Sequence, residues 1–169
     1  MAARHDRTMP AQISINPVRT PDDLADVAAL FRAYAASLDV DLAYQDFADE
    51  LAGLPGRYAP PMGALLIARN GEGAPLGCIA LRPMKNPACC EMKRLFVAPA
   101  GRGLGLGRRL ADALIAVAKE LGYREMWLDT LPSMAAAQSL YRTMGFVVVD
   151  PYYASPVAGT LFMRRMLAD

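Results

Sequence analysis

A chain of 169 residues with 54% hydrophobic and 21% charged side chains can close one sizeable core, which excludes a disordered, collagenous or coiled-coil chain. Eighteen Lys and Arg against seventeen Asp and Glu leave a formal charge of +1, too balanced to wrap nucleic acid or coat an anionic membrane. A small-molecule partner is left by elimination, and five of the thirteen glycines fall in the short stretch from Gly101 to Gly122.

Residues 1–12 carry Arg4, His5, Asp6 and Arg7 but no apolar run, so they read as a tail and not as a secretory leader. No stretch approaches the roughly 18 apolar residues that span a bilayer, and the chain reads as soluble, with a cytoplasmic home and no membrane partner. Cys78, Cys89 and Cys90 match neither a zinc spacing nor a disulfide framework, so no metal is expected. Adjacent residues of a strand point to opposite faces, and Cys89 and Cys90 read as small core side chains.

Ile13, Ile15 and Val18 begin an extended segment. Thr20-Pro21-Asp22-Asp23 then supplies an N-cap, a first-turn proline and two acids that suit the helix dipole. Leu24, Val27, Ala28, Phe31, Ala35 and Leu38 recur at three and four, giving that helix one buried stripe. A shorter helix carries Phe47 and Leu51, and the run Leu54 to Pro61 breaks into a loop. Ala64–Ala68, Gly77–Arg82 and Cys89–Val97 read as an antiparallel meander, separated by the turn signals Asn70-Gly71-Glu72-Gly73 and Lys85-Asn86-Pro87. Leu110, Leu114, Val117 and Leu121 mark a helix closed by Gly122, and Met126 to Thr130 follows as a strand. Strand, glycine loop, helix, strand is a βαβ unit, so its two strands are expected to be parallel. A further helix, capped at Ser133 and carrying Ala137, Leu140, Tyr141 and Met144, stops at Gly145, before the strands Phe146–Val149 and Thr160–Met166. The fold class is therefore α/β: residues 13–169 form one domain with a mixed sheet flanked by helices.

A glycine-rich turn that runs into a helix aims several unpaired backbone N–H groups at one point, where the dipole also favours negative charge. Phosphate is the natural ligand. The P-loop is excluded because no Gly-Lys pair occurs, and the dinucleotide fingerprint fails because Arg108 stands where its last glycine belongs. Glycine is also the default wherever φ is positive, so a plain tight turn is the alternative. Gly101, Gly103, Gly105 and Gly107 with Arg102, Arg108 and Arg109 interleaved exceed what a turn requires and suit a pyrophosphate.

Arg102-Gly103-Leu104-Gly105-Leu106-Gly107 resembles the Arg/Gln-x-x-Gly-x-Gly/Ala motif of the GNAT superfamily of N-acetyltransferases, and the preceding strand Glu91-Met92-Lys93-Arg94-Leu95-Phe96-Val97 is similar to the one that leads into it there. Leu140-Tyr141-Arg142-Thr143-Met144-Gly145-Phe146 resembles the family's second motif. The resemblance covers about residues 90–147. It implies a mostly antiparallel sheet with a splayed parallel pair at the cofactor site, and acetyl-CoA or another acyl-CoA as donor. Its pyrophosphate would lie on the N–H groups of Gly103, Leu104, Gly105, Leu106, Gly107 and Arg108, with Arg102 as a charge contact. Leu95, Phe96 and Val97 would line the donor arm, one backbone N–H of Phe96 or Val97 facing the oxyanion.

Acetyl transfer to an amine has to remove a proton from an ammonium of pKa near 10, stabilise an oxyanion and protonate a departing thiolate. With His5 in the tail, a carboxylate or a water is left as base. Glu91 is the candidate, and a cross-strand salt bridge is its other reading. By resemblance Tyr141 is the general acid, its other reading being a core aromatic. Met134 stands where many relatives carry an Asn that bonds the pantetheine arm. The acceptor, a small-molecule or peptide amine, would be framed by Asp39, Asp41, Tyr44, Arg57, Tyr152 and Tyr153. The leading reading is an acyl-CoA-dependent N-acyltransferase working by direct attack. The rival is a non-catalytic acyl-CoA-binding or sensing module, and relatives imply a possible homodimer.

Overall fold

Thr20 begins the first helix as the sequence dictates. In the computed structural model, which describes residues 12–167, its Oγ1 accepts from the Asp23 amide at 3.1 Å while Asp23 Oδ2 accepts from the Thr20 amide at 3.3 Å. This reciprocal box satisfies two amides at the start of α1 (Pro21–Ser37). Residues 1–11 of the expected tail, His5 among them, lie outside the described residues.

The strands are β1 (Ser14–Pro17), β2 (Ala64–Arg69), β3 (Pro75–Pro83), β4 (Cys89–Val97), β5 (Glu125–Thr130), β6 (Val147–Val149) and β7 (Leu161–Met166). They form one seven-stranded sheet in the order β1-β2-β3-β4-β5-β7-β6, in which β4 and β5 run parallel and the other neighbours antiparallel. The expected mixed sheet and its parallel pair are thus present. Besides α1 there are a short α2 (Phe47–Ala52), α3 (Leu106–Glu120) and α4 (Ala135–Thr143).

Two apolar layers cover the sheet. On one face Leu110 and Leu114 of α3 and Tyr141 of α4 pack with Met126, Leu128 and Met163. On the other, Val27 and Phe31 of α1 meet Tyr58, Ile67, Cys78 and Phe96. The three cysteines are free and buried, as their apolar surroundings imply.

One expectation fails locally. Ser133 does not cap α4: the N-cap is Met134, which makes no side-chain capping bond. The chain instead turns over Leu131, whose carbonyl accepts both the Met134 amide at 3.0 Å and Gln138 Nε2 at 2.8 Å.

The sheet opens in its middle. β4 and β5 pair only at Cys89 with Glu125, Cys90 with Met126 and Glu91 with Trp127. Beyond Glu91 the cause lies in β4 itself. Cys78 pairs with Phe96 and Ala80 with Lys93, so Arg94 and Leu95 together face the single residue Ile79. Such a bulge bends a strand and increases its twist. Arg94 holds the left-handed turn it needs, at φ 60°. β4 thereby follows β3 away from β5, while β5 stays with β7 through Thr130.

Candidate active site

A strand bonded on one side alone directs every second N–H and C=O at empty space on the other. Beyond Glu91 both β4 and β5 present such an edge to the gap between them. The resulting cleft is walled by Met92, Lys93, Arg94 and Leu95 of β4, by Leu128, Asp129 and Thr130 of β5, and by Tyr34, Gln45 and Tyr141 from the helical layers.

Period-two alternation divides the chemistry between the two faces of the sheet. Met92 and Leu128 belong to the layer under α3 and α4, which also holds Tyr141. Glu91, Lys93 and Asp129 therefore project to the α1 side.

On the α3 side, beside Val97 at the end of β4 and Leu140 of α4, the amides of residues 103–108 donate to no acceptor among the described residues, whereas the Arg102 and Arg109 amides on either side do. Gly105, at φ 68°, is the N-cap of α3 and has no side chain to cap it, so the first amides of a 15-residue helix stay open. The glycines have distinct reasons. A Cβ on Gly101 would come within 3.1 Å of Leu106, Val97 and the Leu76 carbonyl, so that glycine serves packing. Gly103 and Gly105 hold φ of 78° and 68°. Gly107 has neither motive, since a Cβ there would stand at an ordinary 3.7 Å from Leu140. Helix propensity disfavours it by up to about 1 kcal/mol. Of the arginines, Arg108 lies 3.8 Å from Asp112 on the exposed face and Arg109 donates to the Ile13 carbonyl at 3.2 Å, while Arg102 is exposed.

Tyr141 is 6% exposed, packs edge-on against Phe146 and lines the cleft. Burial, aided by the nearby Tyr34 and Asp129, pushes its hydroxyl well above the usual phenol range, so it stays protonated at neutral pH. The Thr130 hydroxyl, in the same wall, is buried with no hydrogen-bond partner among the described residues. Met134 lines the cleft too, contributing an apolar side chain.

The α1 side is a connected set of charges. Glu91, 4% exposed, receives Arg82 Nε at 2.7 Å on Oε1, and on Oε2 the Tyr152 hydroxyl with Lys93 Nζ 3.9 Å away. Lys93 Nζ lies 3.2 Å from Asp129 Oδ1 and 3.4 Å from Gln45 Oε1. Asp129 Oδ2 accepts from Gln45 Nε2 at 3.3 Å and from the Tyr153 hydroxyl. Arg94 is gripped by Glu50 at 2.9 and 3.2 Å and by Gln45 Oε1 at 2.9 Å. Burial alone would push the Asp129 carboxyl up, but the Lys93 charge and the Tyr153 and Lys93 hydrogen bonds outweigh it and hold the group below the usual carboxylate range.

Of the residues expected at the site, the cleft brings together Leu95 and Tyr141, with Tyr152 and Tyr153 reaching the carboxylates behind it. Phe96 packs edge-on with Tyr34 in the α1 layer and Val97 packs in the α3 layer. Glu91 closes the paired part of the strands and does not line the cleft, whereas Lys93, 3.9 Å from it, does. Asp41 caps the Ala43 amide at 2.9 Å and Arg57 donates to the Pro83 carbonyl at 2.7 Å; neither these nor Asp39 line the cleft. Sequence reasoning missed Gln45, Lys93 and Asp129. Its available signal was a charge in each of two strands, Lys93 after Met92 and Asp129 after Leu128. Among the described residues no group of His, Cys, Asp and Glu is arranged to hold a metal, and no helix is long and apolar enough to cross a membrane.

Comparison with known proteins agrees with this geometry. An acetyltransferase of the GNAT family from Staphylococcus aureus shares the fold, with a TM-score of 0.77 at 21% identity over 93% of this chain and 100% of that one. The Salmonella typhimurium protein yncA, solved with its cofactor acetyl-CoA, superposes with a TM-score of 0.70 at 20% identity, covering 93% of this chain and 95% of that one. A Schizosaccharomyces pombe protein named an uncharacterized N-acetyltransferase is 43% identical over 155 residues, 92% of this chain and 95% of its own length. Residues 24–146 match the acetyltransferase (GNAT) family. A split sheet with an open helix end beside it, matched over most of its length by that family, makes the chain a member of the acetyltransferase (GNAT) family and an N-acetyltransferase.

Proposed function

We propose that the protein moves an acetyl group from acetyl-CoA to a primary amine by direct attack, the donor entering from the α3 side of the split sheet and the acceptor from the α1 side. The observation that carries this reading is the run of acceptor-free amides at residues 103–108, set beside a gap edged by two half-paired strands. The residues present fit the donor. Open amides and the α3 dipole suit the pyrophosphate, Gly107 leaves room for its approach, and Arg102 and Arg108 stand exposed beside it. The free edges of β4 and β5 suit an amide-bearing arm, and the unpartnered Thr130 hydroxyl offers a polar contact where Met134 does not.

Acetyl-CoA supplies a thioester whose carbonyl carbon takes the amine and whose sulfur leaves. Tyr141 is the group that returns a proton to that sulfur, and a β4 amide at Phe96 or Val97 faces the developing oxyanion. The proton lost by the amine does not come to rest on Asp129, whose carboxyl the Lys93 charge and the Tyr153 hydrogen bond hold below the usual carboxylate range, and it leaves to water. Glu91 acts across Lys93 and is a positioning residue for the charges in the cleft.

The test is thiol release from acetyl-CoA across a panel of amines, with CoA affinity measured by calorimetry. Release that depends on the amine is the expected result. CoA binding with no release on any amine would leave a binding module, and absence of CoA binding would overturn the reading.

A further inference from the structure

Asp129 lines the cleft in the company of several tyrosines. Of the seven tyrosines in the chain, Tyr153 donates to Oδ2 directly, and Tyr44 accepts from the same Gln45 Nε2 that donates to Oδ2. Tyr34 and Tyr141 share the cleft wall with Asp129. Burial is the main reason these phenols, and Tyr152, lie above their ordinary range, and the Asp129 charge adds to the shift in every one of the five. A buried carboxylate in a cleft that tyrosines also line suits an ammonium group.

A carboxylate accepts about four hydrogen bonds. Asp129 takes three, from Lys93, Gln45 and Tyr153, and it lines the cleft with capacity for one more. The cations in that wall are already committed: Lys93 to Asp129 and Glu91, Arg94 to Glu50. A substrate carboxylate entering beside the reacting nitrogen would therefore meet Asp129 and find no uncommitted cation among the described residues of the cleft.

We infer that Asp129 receives the ammonium of the acceptor, and that the acceptor is a primary amine with no carboxylate on the carbon beside its nitrogen. This rests on the acetyl-transfer reading above. It excludes free α-amino acids while admitting simple amines and amino acids blocked as amides. Asp129 fixes the nitrogen. The ammonium gives one proton to water, the attack forms the N–C bond and breaks the C–S bond, the sulfur takes the Tyr141 proton, and the second nitrogen proton, lost as the amide forms, restores Tyr141.

The experiment uses two matched sets with acetyl-CoA: 2-phenylethylamine, phenylalanine and phenylalanine amide; butylamine, norvaline and norvaline amide. In each set the amine and the amide are expected to exceed the amino acid in kcat/KM by about 10- to 100-fold, the span of one charge-assisted hydrogen bond. Asp129→Asn is expected to raise the amine KM by a similar factor with a much smaller change in kcat and an unchanged calorimetric affinity for CoA. A preference for the amino acids or an unmoved KM in the variant overturns the inference, whereas CoA binding without transfer to any member overturns the acetyl-transfer reading on which it rests. Should the variant fail to fold, the wild-type preference decides. Loss of CoA binding by the wild-type protein overturns instead the reading on which the inference rests.

Discussion

Lys93 Nζ lies 3.2 Å from Asp129 Oδ1 and joins β4 to β5 where their backbones have already parted. The same ammonium stands 3.9 Å from Glu91, and all three side chains are at least nine-tenths buried. Lys93→Met fits the space but leaves two buried carboxylates without their shared cation. A loss of about 3–5 kcal/mol in urea unfolding at pH 7 is expected, as for other broken buried pairs. The loss should shrink near pH 3, because without the Lys93 charge the buried Asp129 carboxyl of the variant takes up a proton more readily; an equal loss at both pH values would refute the electrostatic account.

Asp129 also sets a pH dependence. Its carboxyl is held below the ordinary value, so the unfolded chain binds its proton first as pH falls. Its contribution is therefore complete above the ordinary carboxylate value of about 3.9 and is lost as pH drops through the lower folded value. Wild type should lose stability more steeply than Asp129→Asn below about pH 4; parallel urea midpoints from pH 6 to pH 2.5 would remove Asp129 from this role.

Tyr141→Phe keeps the ring that packs on Phe146 and deletes the proton donor. Thiol release should fall by about 100-fold with unchanged CoA affinity. If kcat is unaltered, the hydroxyl is not the acid and the residue serves packing alone.

Gly107→Ala separates the needs of the helix from those of the ligand. The protein has room for the methyl group, and alanine favours a helix by up to about 1 kcal/mol, so thermal stability should rise. CoA affinity should nonetheless fall by about tenfold, ~1.4 kcal/mol. Greater stability with undiminished CoA binding would mean that the phosphates do not approach Gly107.

Glu91→Gln bears on the source of the base. A positioning role leaves the rise of rate with pH intact, because the proton still leaves to water, and changes the amine KM through Lys93. A rate that no longer rises with pH would make Glu91 the base itself.

The elements that could be read from sequence were those with local causes. Thr20 and Asp23 cap one another across three residues, and Gly105 and Gly122 punctuate α3 by backbone conformation. The glycine cradle was legible for the same reason, since open amides follow from a glycine turn meeting a helix start. The α4 start was misread because Ser133 has the right chemistry for a cap, yet the turn over Leu131 moves the helix past it. Asp129 was invisible for a different reason: its meaning depends on Gln45 and Tyr153, which lie 84 and 24 residues away in the chain. Glu91 was visible as a charge on a strand, but not that Lys93, 3.9 Å from it, lines the cleft and Glu91 does not.

The single extra residue in β4 has a wider consequence. Hydrogen bonds forgone between two neighbouring strands turn a wall into a doorway, so chemistry prepared on one face can meet chemistry prepared on the other without either helical layer being breached. The two sides can then change independently, since the residues around α3 and the Gln45, Tyr44 and Tyr152–Tyr153 group belong to opposite faces of the sheet. Deleting that one residue would let β4 run on beside β5, and the doorway would be a wall again.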